Sequence, residues 1–445
     1  MFVPATFAQH NNLHMLDRSI APVLHHAVEF NLNLPACNRY TLDNGVPVIT
    51  VDAGVEEVLQ LEWVFEAGNS FEPANMVAAA TNHLLKNGTE IRTAFDINEQ
   101  TDYFGAYLNR SCQSETAVVT LHTMSKHLQK LMPVVTDIFT NSTFPQEELN
   151  IFVQNSRQRL SVNLRKCDFV ASREIDVLLY GKDHPYGKYS SFEALEALTR
   201  DQVMAFYNEF YINGRMVIFV SGKLPANLIE VLNEAFGHLP LKPLQPQPVM
   251  VPETAAPLNQ ERIIRIQNDP NGVQGAIRMA RPAINRHHPD FQKVQILNNI
   301  FGGYFGSRLM SNIREDKGYT YGIHSYLQSN VGPNAWLIGT EAGRDVCDAT
   351  ITEVYYEMEQ LRKEWVDDEE LLLVRNYMIG SILGSLDTPF QISGRWKNYF
   401  LNGITDGNEY FNSAIQTIKT VPAEELKELA NKYLQPEYFY EMVVV

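Results

Sequence analysis

The stretch LEALTRDQVMAFYNEFYINGRMVIFVSG, residues 195–222, is written a second time as IKTVPAEELKELANKYLQPEYFYEMVVV, residues 418–445. In the first copy Leu195, Leu198, Val203, Phe206 and Phe210 form an apolar stripe at helical spacing, and MVIFVSG follows as a strand. Ile418, Val421, Leu426, Leu429 and Tyr433 repeat those offsets at a shift of 223, and YFYEMVVV follows them. Upstream, the EEL of FPQEELN (144–150) recurs in WVDDEEL (365–371) at a shift of 222. Two independent matches at nearly one offset mark an internal duplication.

Outward from these copies, strand and helix patterns interleave. Leu59, Leu61, Trp63 and Phe65 alternate as a half-buried strand should, and TAVVTLHTM (116–124) and NAWLIGTEAG (334–343) read as further strands. Helical patterns follow at 125–139 and 147–163, and again at 346–363 and 367–382. The predicted fold class is α+β: two duplicated halves, each a mostly antiparallel sheet backed by helices, with the sheets facing each other and enclosing a chamber. Residues 240–260 hold six of the 22 prolines. Proline lacks a backbone donor, so this stretch is excluded from sheet and helix interiors and reads as a linker. The expected boundaries are an N-terminal extension (1–37), a first domain (38–239), the linker (240–260) and a second domain (261–445).

A chain of 445 residues exceeds one ordinary core, and 45% hydrophobic with 20% charged residues is globular composition. No run of apolar residues reaches membrane-span length, and the N-terminus has no basic start followed by an apolar core. Cys37, Cys112, Cys167 and Cys347 lie far apart without C-x-x-C spacing, which points to reduced thiols and a cytoplasmic location. A net charge of −16 disfavours nucleic acid. Extended peptides are the better-matched partners.

RYTLDNGVPVITVD (39–52), NGTEIRT (87–93), HPYGKYSSFEALEALTRDQVMAFYNEFY (184–211) and FGGYFGSRLMSNIREDKGYTYGIHS (301–325) resemble the pitrilysin/insulinase family of zinc peptidases. Size and duplication resemble the subunits of mitochondrial processing peptidase and their bacterial relatives. The likeness runs in order from about residue 38 to the C-terminus. It implies an H-x-x-E-H motif on a helix of the first half, two His ligands one turn apart with a Glu as general base, and a further Glu some seventy to eighty residues on. In register with the following NGT, His83 takes the second His position, Ala79 the first and Asn82 that of the Glu. The distal position falls at Gln158 or Arg159, with Arg157 adding positive charge. A methyl group cannot ligate a metal, and an amide is not basic enough to take a proton from water. The chain is therefore predicted to hold no metal and no catalytic residues of its own, any zinc residing on a partner subunit. As a structural element, the helix carrying His83 is expected to pack on Met76, Val77, Ala80 and Leu84, with Gly88 as a left-handed C-cap.

The resemblance also implies that Arg314 and Tyr321 match a pair that family peptidases place opposite the zinc, where guanidinium and phenol donate to substrate carbonyls or an oxyanion. The bland alternative pairs Arg314 with Glu315 or Asp316 and leaves Tyr321 as one strand position. DHPYGK (183–188) is expected to form a turn with Gly187 available for a positive φ. FGGYFG lacks the order of a phosphate cradle, and the tandem pairs His25-His26 and His287-His288 diverge. Three readings follow: a non-catalytic, peptide-binding subunit paired with a zinc-bearing paralogue; a homodimeric peptide-binding or scaffold protein; and an active peptidase with an atypical site.

Overall fold

The computed structural model describes residues 25–249, 261–328 and 330–445. The first half runs β1 (Asn38–Thr41), β2 (Pro47–Asp52), β3 (Val58–Phe65), α1 (Val77–Leu84), α2 (Ala94–Tyr103), β4 (Tyr107–Cys112) and β5 (Ala117–Met124). It continues through α3 (Leu128–Thr140), α4 (Gln146–Asn163), α5 (Cys167–Tyr180), α6 (Phe192–Glu196), α7 (Arg200–Tyr207), β6 (Arg215–Gly222), α8 (Leu228–Phe236) and β7 (Lys242–Pro243). The second half comprises β8 (Ile263–Ile266), β9 (Gln274–Ala283), α9 (Phe291–Asn298), β10 (Thr320–Leu327) and β11 (Asn334–Gly343). Then come α10 (Cys347–Lys363), α11 (Asp368–Gly384), α12 (Pro389–Leu401), α13 (Gly407–Thr420), α14 (Ala423–Tyr433) and β12 (Tyr440–Val444). The strands and helices expected from the sequence pattern are all present.

The duplication extends to topology. The first sheet has the order β1-β2-β6-β3-β5-β4 and the second the order β10-β11-β9-β12-β8. Read from the other edge, the second matches the first strand for strand once β1 and the short β7, which pairs with β6 off this path, are set aside. The β2–β6 and β8–β12 pairs are parallel, while the hairpin and meander pairs are antiparallel. Alternation puts Leu59, Leu61, Trp63 and Phe65 on one face of β3, where they pack with Leu131, Val135, Phe139 and Phe236 from α3 and α8. Trp336 and Ile338 do the same against Phe301, Val354 and Met358 in the second half.

The other face of each sheet is covered by a helix from the opposite half. Ala171, Ile175 and Leu179 of α5 pack on Ala276, Ala280, Leu337 and Tyr440 of the second sheet. Phe400 and Leu401 of α12 pack on Ile49, Val64, Val217 and Phe219 of the first. A shift of 222 carries α5 onto α12, so these two helices are themselves the duplicated pair. The halves are thus interlocked rather than placed side by side. The strap before β1 strengthens the lock. Leu32 and Leu34 enter the second core, and the Trp396 indole donates to the Pro35 carbonyl at 2.9 Å.

Three local expectations need correction. The proline-rich segment begins inside the first sheet: Lys242 N–H donates to Gly214 and Leu244 N–H to Met216. Pro243 falls between the two bonding residues, so its missing donor costs nothing. Residues 250–260 lie outside the described residues. Gly187 does not use positive φ; a Cβ there would meet the Gly181 carbonyl oxygen at 2.2 Å, so close approach is what requires glycine. Helix α1 ends at Leu84, and Gly88, at φ +140°, lies outside the left-handed helical region.

Candidate functional site

Helix α1 starts without a side-chain cap at Met76, whose φ is +77°. The Glu72 carboxylate accepts the Ala78 N–H at 3.0 Å instead, supplying the acceptor and negative charge that a helix N-terminus favours. Val77, Ala80 and Leu84 are buried as expected, with Ala78 beside them, whereas Met76 is only half-buried. Asn82 is buried too, and its amide donates to the Tyr211 hydroxyl at 3.2 Å, deep in the first core. Ala79 is half-buried, one turn from His83.

His83 is exposed, with its ring 5.1 Å from that of Phe152 on α4. Desolvation lowers its pKa, and the charges of Arg110, Arg159 and Lys86 lower it further, with Glu148 opposing. Arg110 on β4 donates to the His83 carbonyl and, at 3.4 Å, to Asn87 Oδ1; burial pulls its pKa down to about 10. Arg159 and Gln158 are exposed on α4. Arg157 is turned away, bonded to Glu196 and stacked over Phe192. The structure thus surrounds His83 with Arg110, Arg159 and Lys86, so that a methyl group, a committed amide and three cations stand where zinc would need anionic and neutral donors. These residues do not fit the metal. Among the described residues no group of three or more His, Cys, Asp or Glu side chains is gathered to hold one. Arg110 escaped the sequence reading because only the packing of β4 against α1 brings it to His83.

Arg314 and Tyr321 lie on either side of a tight corner. Residues Met310–Asp316 form a wide π-helical turn, and the Tyr319 N–H donates back to the Ile313 carbonyl at 3.0 Å. Arg314 lies over the Phe305 ring at 4.7 Å. Among the described residues it forms no ion pair with Glu315 or Asp316. Tyr321 sits where the β10–β11 register slips by one residue between Thr320 and Ile323, and it is 90% exposed. Bulges of this kind re-aim a side chain beside functional sites. Strand β10 ends the second sheet and β4 ends the first; on β10 the Ile323 N–H already meets Met310 Sδ and the Ser325 carbonyl accepts from Asn298.

The remaining expectations place simply. FGGYFG ends the turn after α9 and leads into the next helix. His287 bonds the Asn402 carbonyl, whereas the His288 ring accepts the Asp290 N–H, so the pair diverges. No helix among the described residues is long and apolar enough to cross a membrane.

Comparison with known proteins fits this architecture. Residues 48–171 match the family described as insulinase (peptidase family M16), and residues 197–378 match the M16 inactive domain. The chain belongs to peptidase family M16. It is 23% identical to the uncharacterized zinc protease YmxG of Bacillus subtilis over 90% of this chain and 96% of that one. It is 25% identical to a probable mitochondrial-processing peptidase subunit beta of Schizosaccharomyces pombe, over 61% of this chain and 60% of that one. The fold matches a peptidase M16 inactive domain structure from Pseudomonas fluorescens with TM-score 0.81 and 22% identity, covering 92% of this chain and 98% of that one. A protease from Helicobacter pylori matches with TM-score 0.80 and 16% identity, over 93% and 100% of the two chains. This M16 homologue carries the family fold.

Proposed function

We propose that this chain is the metal-free subunit of a cytoplasmic two-subunit M16 peptidase, pairing with a zinc-bearing paralogue and binding extended peptide substrate. The single observation that carries the reading is the contrast within one chain. The zinc-motif positions hold Ala79, Asn82 and a cationic cluster, whereas Arg314 sits half-buried over Phe305 at a corner and Tyr321 stands exposed on a bulge. A site that had lost all function would have no reason to keep a guanidinium propped on an exposed ring and a tyrosine 90% exposed. In the proposed complex these two donors contact substrate main chain, and the edge strand β4 accepts an extended segment by strand addition. The four cysteines are free, in keeping with a reducing compartment.

The test is native mass spectrometry on the protein from its own source, followed by kinetics on the complex. A heterodimer whose second chain carries zinc is expected, and Arg314→Ala is expected to lower kcat/KM about 100- to 1000-fold with thermal stability unchanged. Tyr321→Phe should cost less, because the ring stays in place. A zinc-free homodimer would instead favour the scaffold reading, and zinc retained on this chain would revive the third.

A further inference from the structure

The fold packs the same helix pair twice. In the first half α1 packs on α4, where His83 meets Phe152. In the second half α9 and its π-helical extension (Asn299–Gly303) take the place of α1, and α11 takes the place of α4. There α12 and α13 add further walls and leave a cavity of about 420 Å³. Its charged lining residues are Arg286 and Arg395; among the described residues that line it there is no Asp or Glu.

Two buried donors in this cavity lack partners. Arg395 uses one terminal nitrogen on Ser385 Oγ at 2.7 Å and the other on Tyr399 Oη at 3.4 Å, and its face stacks over Phe411 at 5.4 Å. Its Nε is buried with no hydrogen-bond partner, and so is the Tyr410 hydroxyl. A guanidinium answered only by hydroxyls in a chain of net charge −16 is unusual, because buried charge is costly without a counter-charge. Burial pushes the Tyr410 phenol pKa up, against the opposing Arg286 charge and the Arg286 and Gln292 side chains beside it, so the hydroxyl keeps its proton through neutral pH. The opposite wall is apolar, with Met378, Ile382, Ala414 and Ile418.

We infer that this second-half cavity binds a carboxylate carried on an apolar body, the acid group seated between Arg395 and Tyr410 and the apolar part against α11 and α13. The same chemistry occurs in a free hydrophobic acid and in the C-terminus of a peptide. The site is separate from the Arg314 and Tyr321 corner, so neither proposal depends on the other.

The test is calorimetric titration of the full chain with three probes: N-acetyl-leucyl-leucine, its C-terminal amide, and 4-phenylbutyrate. An acid is expected to bind at least about tenfold more tightly than the amide. Binding of the peptide acid alone identifies a peptide C-terminus as the ligand, and binding of phenylbutyrate alone identifies a free acid. Arg395→Met should abolish binding. Because that change also removes the bond to Ser385, Tyr410→Phe serves as the second variant. It deletes a hydroxyl that has no partner in the unliganded protein, so the melting temperature should hold or rise while acid affinity falls about tenfold. Equal binding of acid and amide, no binding of either acid, or undiminished affinity in Tyr410→Phe overturns the inference.

Discussion

Helices α5 and α12 are one element written twice, and each has left its own half to cover the other's sheet. Position by position the shift of 222 pairs Ala171 with Ser393, Ile175 with Lys397, Asp176 with Asn398 and Leu179 with Leu401. The small pair is buried in both copies, with Ala171 at 0% and Ser393 at 1% exposure, since close helix–sheet contact leaves room for little else. Leu179 and Leu401 are unchanged, whereas the Ile175/Lys397 and Asp176/Asn398 pairs have diverged in chemistry while keeping their seats. Ile175 meets an apolar surface, but Lys397 reaches Glu62 on β3, with N–O at 2.5 Å and the Glu62 side chain 10% exposed. The architecture is held by volume and face; the identity of each contact is free to drift so long as its partner drifts with it.

The largest effect should come from the apolar version of this contact. Ile175→Ala removes methyl and methylene groups from a fully packed seat and is expected to cost about 2–5 kcal/mol. Because α5 belongs to one half and packs on the other, unfolding should remain a single transition at lower urea concentration. Trp63 in the first core and Trp336 in the second would report it, followed through variants that keep one or the other indole. Two separated transitions would show that the halves are not interlocked as the packing implies.

Much of this was legible in the sequence. Apolar periodicity shows which face of a helix is buried, so α4, α10, α11 and the two copied helix–strand units could be placed within a few residues. Periodicity does not say which neighbour does the burying. The reciprocal covering by α5 and α12 is a property of long-range pairing, and nothing local in Cys167–Tyr180 distinguishes its own sheet from the other. The same limit hid Arg110, which lies 27 positions from the His83 carbonyl it bonds. The reading of Ala79, Asn82 and His83 as zinc-motif positions rests on register against the following NGT. The commitment of Asn82 to Tyr211 could not be read that way, since it depends on a tyrosine 129 positions away.

A smaller effect is expected from the polar version. Lys397→Met keeps the stem that covers the sheet but leaves the Glu62 carboxylate without its counter-charge in a nearly buried position. Removing one partner of a fully buried pair costs about 3–5 kcal/mol; here the lysine is 24% exposed, so about 1–2 kcal/mol is the expected loss. The double change Lys397→Met with Glu62→Gln should recover most of it, measured as a double-mutant cycle in urea. Failure to recover would mean that the lysine acts through packing alone, making this seat like Ile175 after all.

The smallest effect is confined to one range of pH. The Asp176 carboxylate accepts a bond from the Tyr189 hydroxyl, with Tyr180 and Tyr326 also nearby. Burial raises its pKa from an ordinary 3.8 to about 6, against the opposing hydrogen bonds of Tyr189 and Gln328. The folded state therefore holds this proton more tightly than the unfolded chain does. Its contribution to stability is fully present below about pH 4 and is lost as pH rises through about 6. The duplicate position already shows a chain without this burden, since Asn398 cannot ionise. Asp176→Asn makes the two helices alike there. It should leave stability unchanged near pH 4 and raise it by about 1 kcal/mol at pH 7.5, less than the full shift implies because the side chain is not wholly sealed from water. The gain depends on α5 remaining seated on the second sheet, for a solvated Asp176 would titrate normally. A variant whose advantage is the same at both pH values would therefore show that the carboxyl is not desolvated at this seam, and that the divergence from Asn398 carries no electrostatic cost.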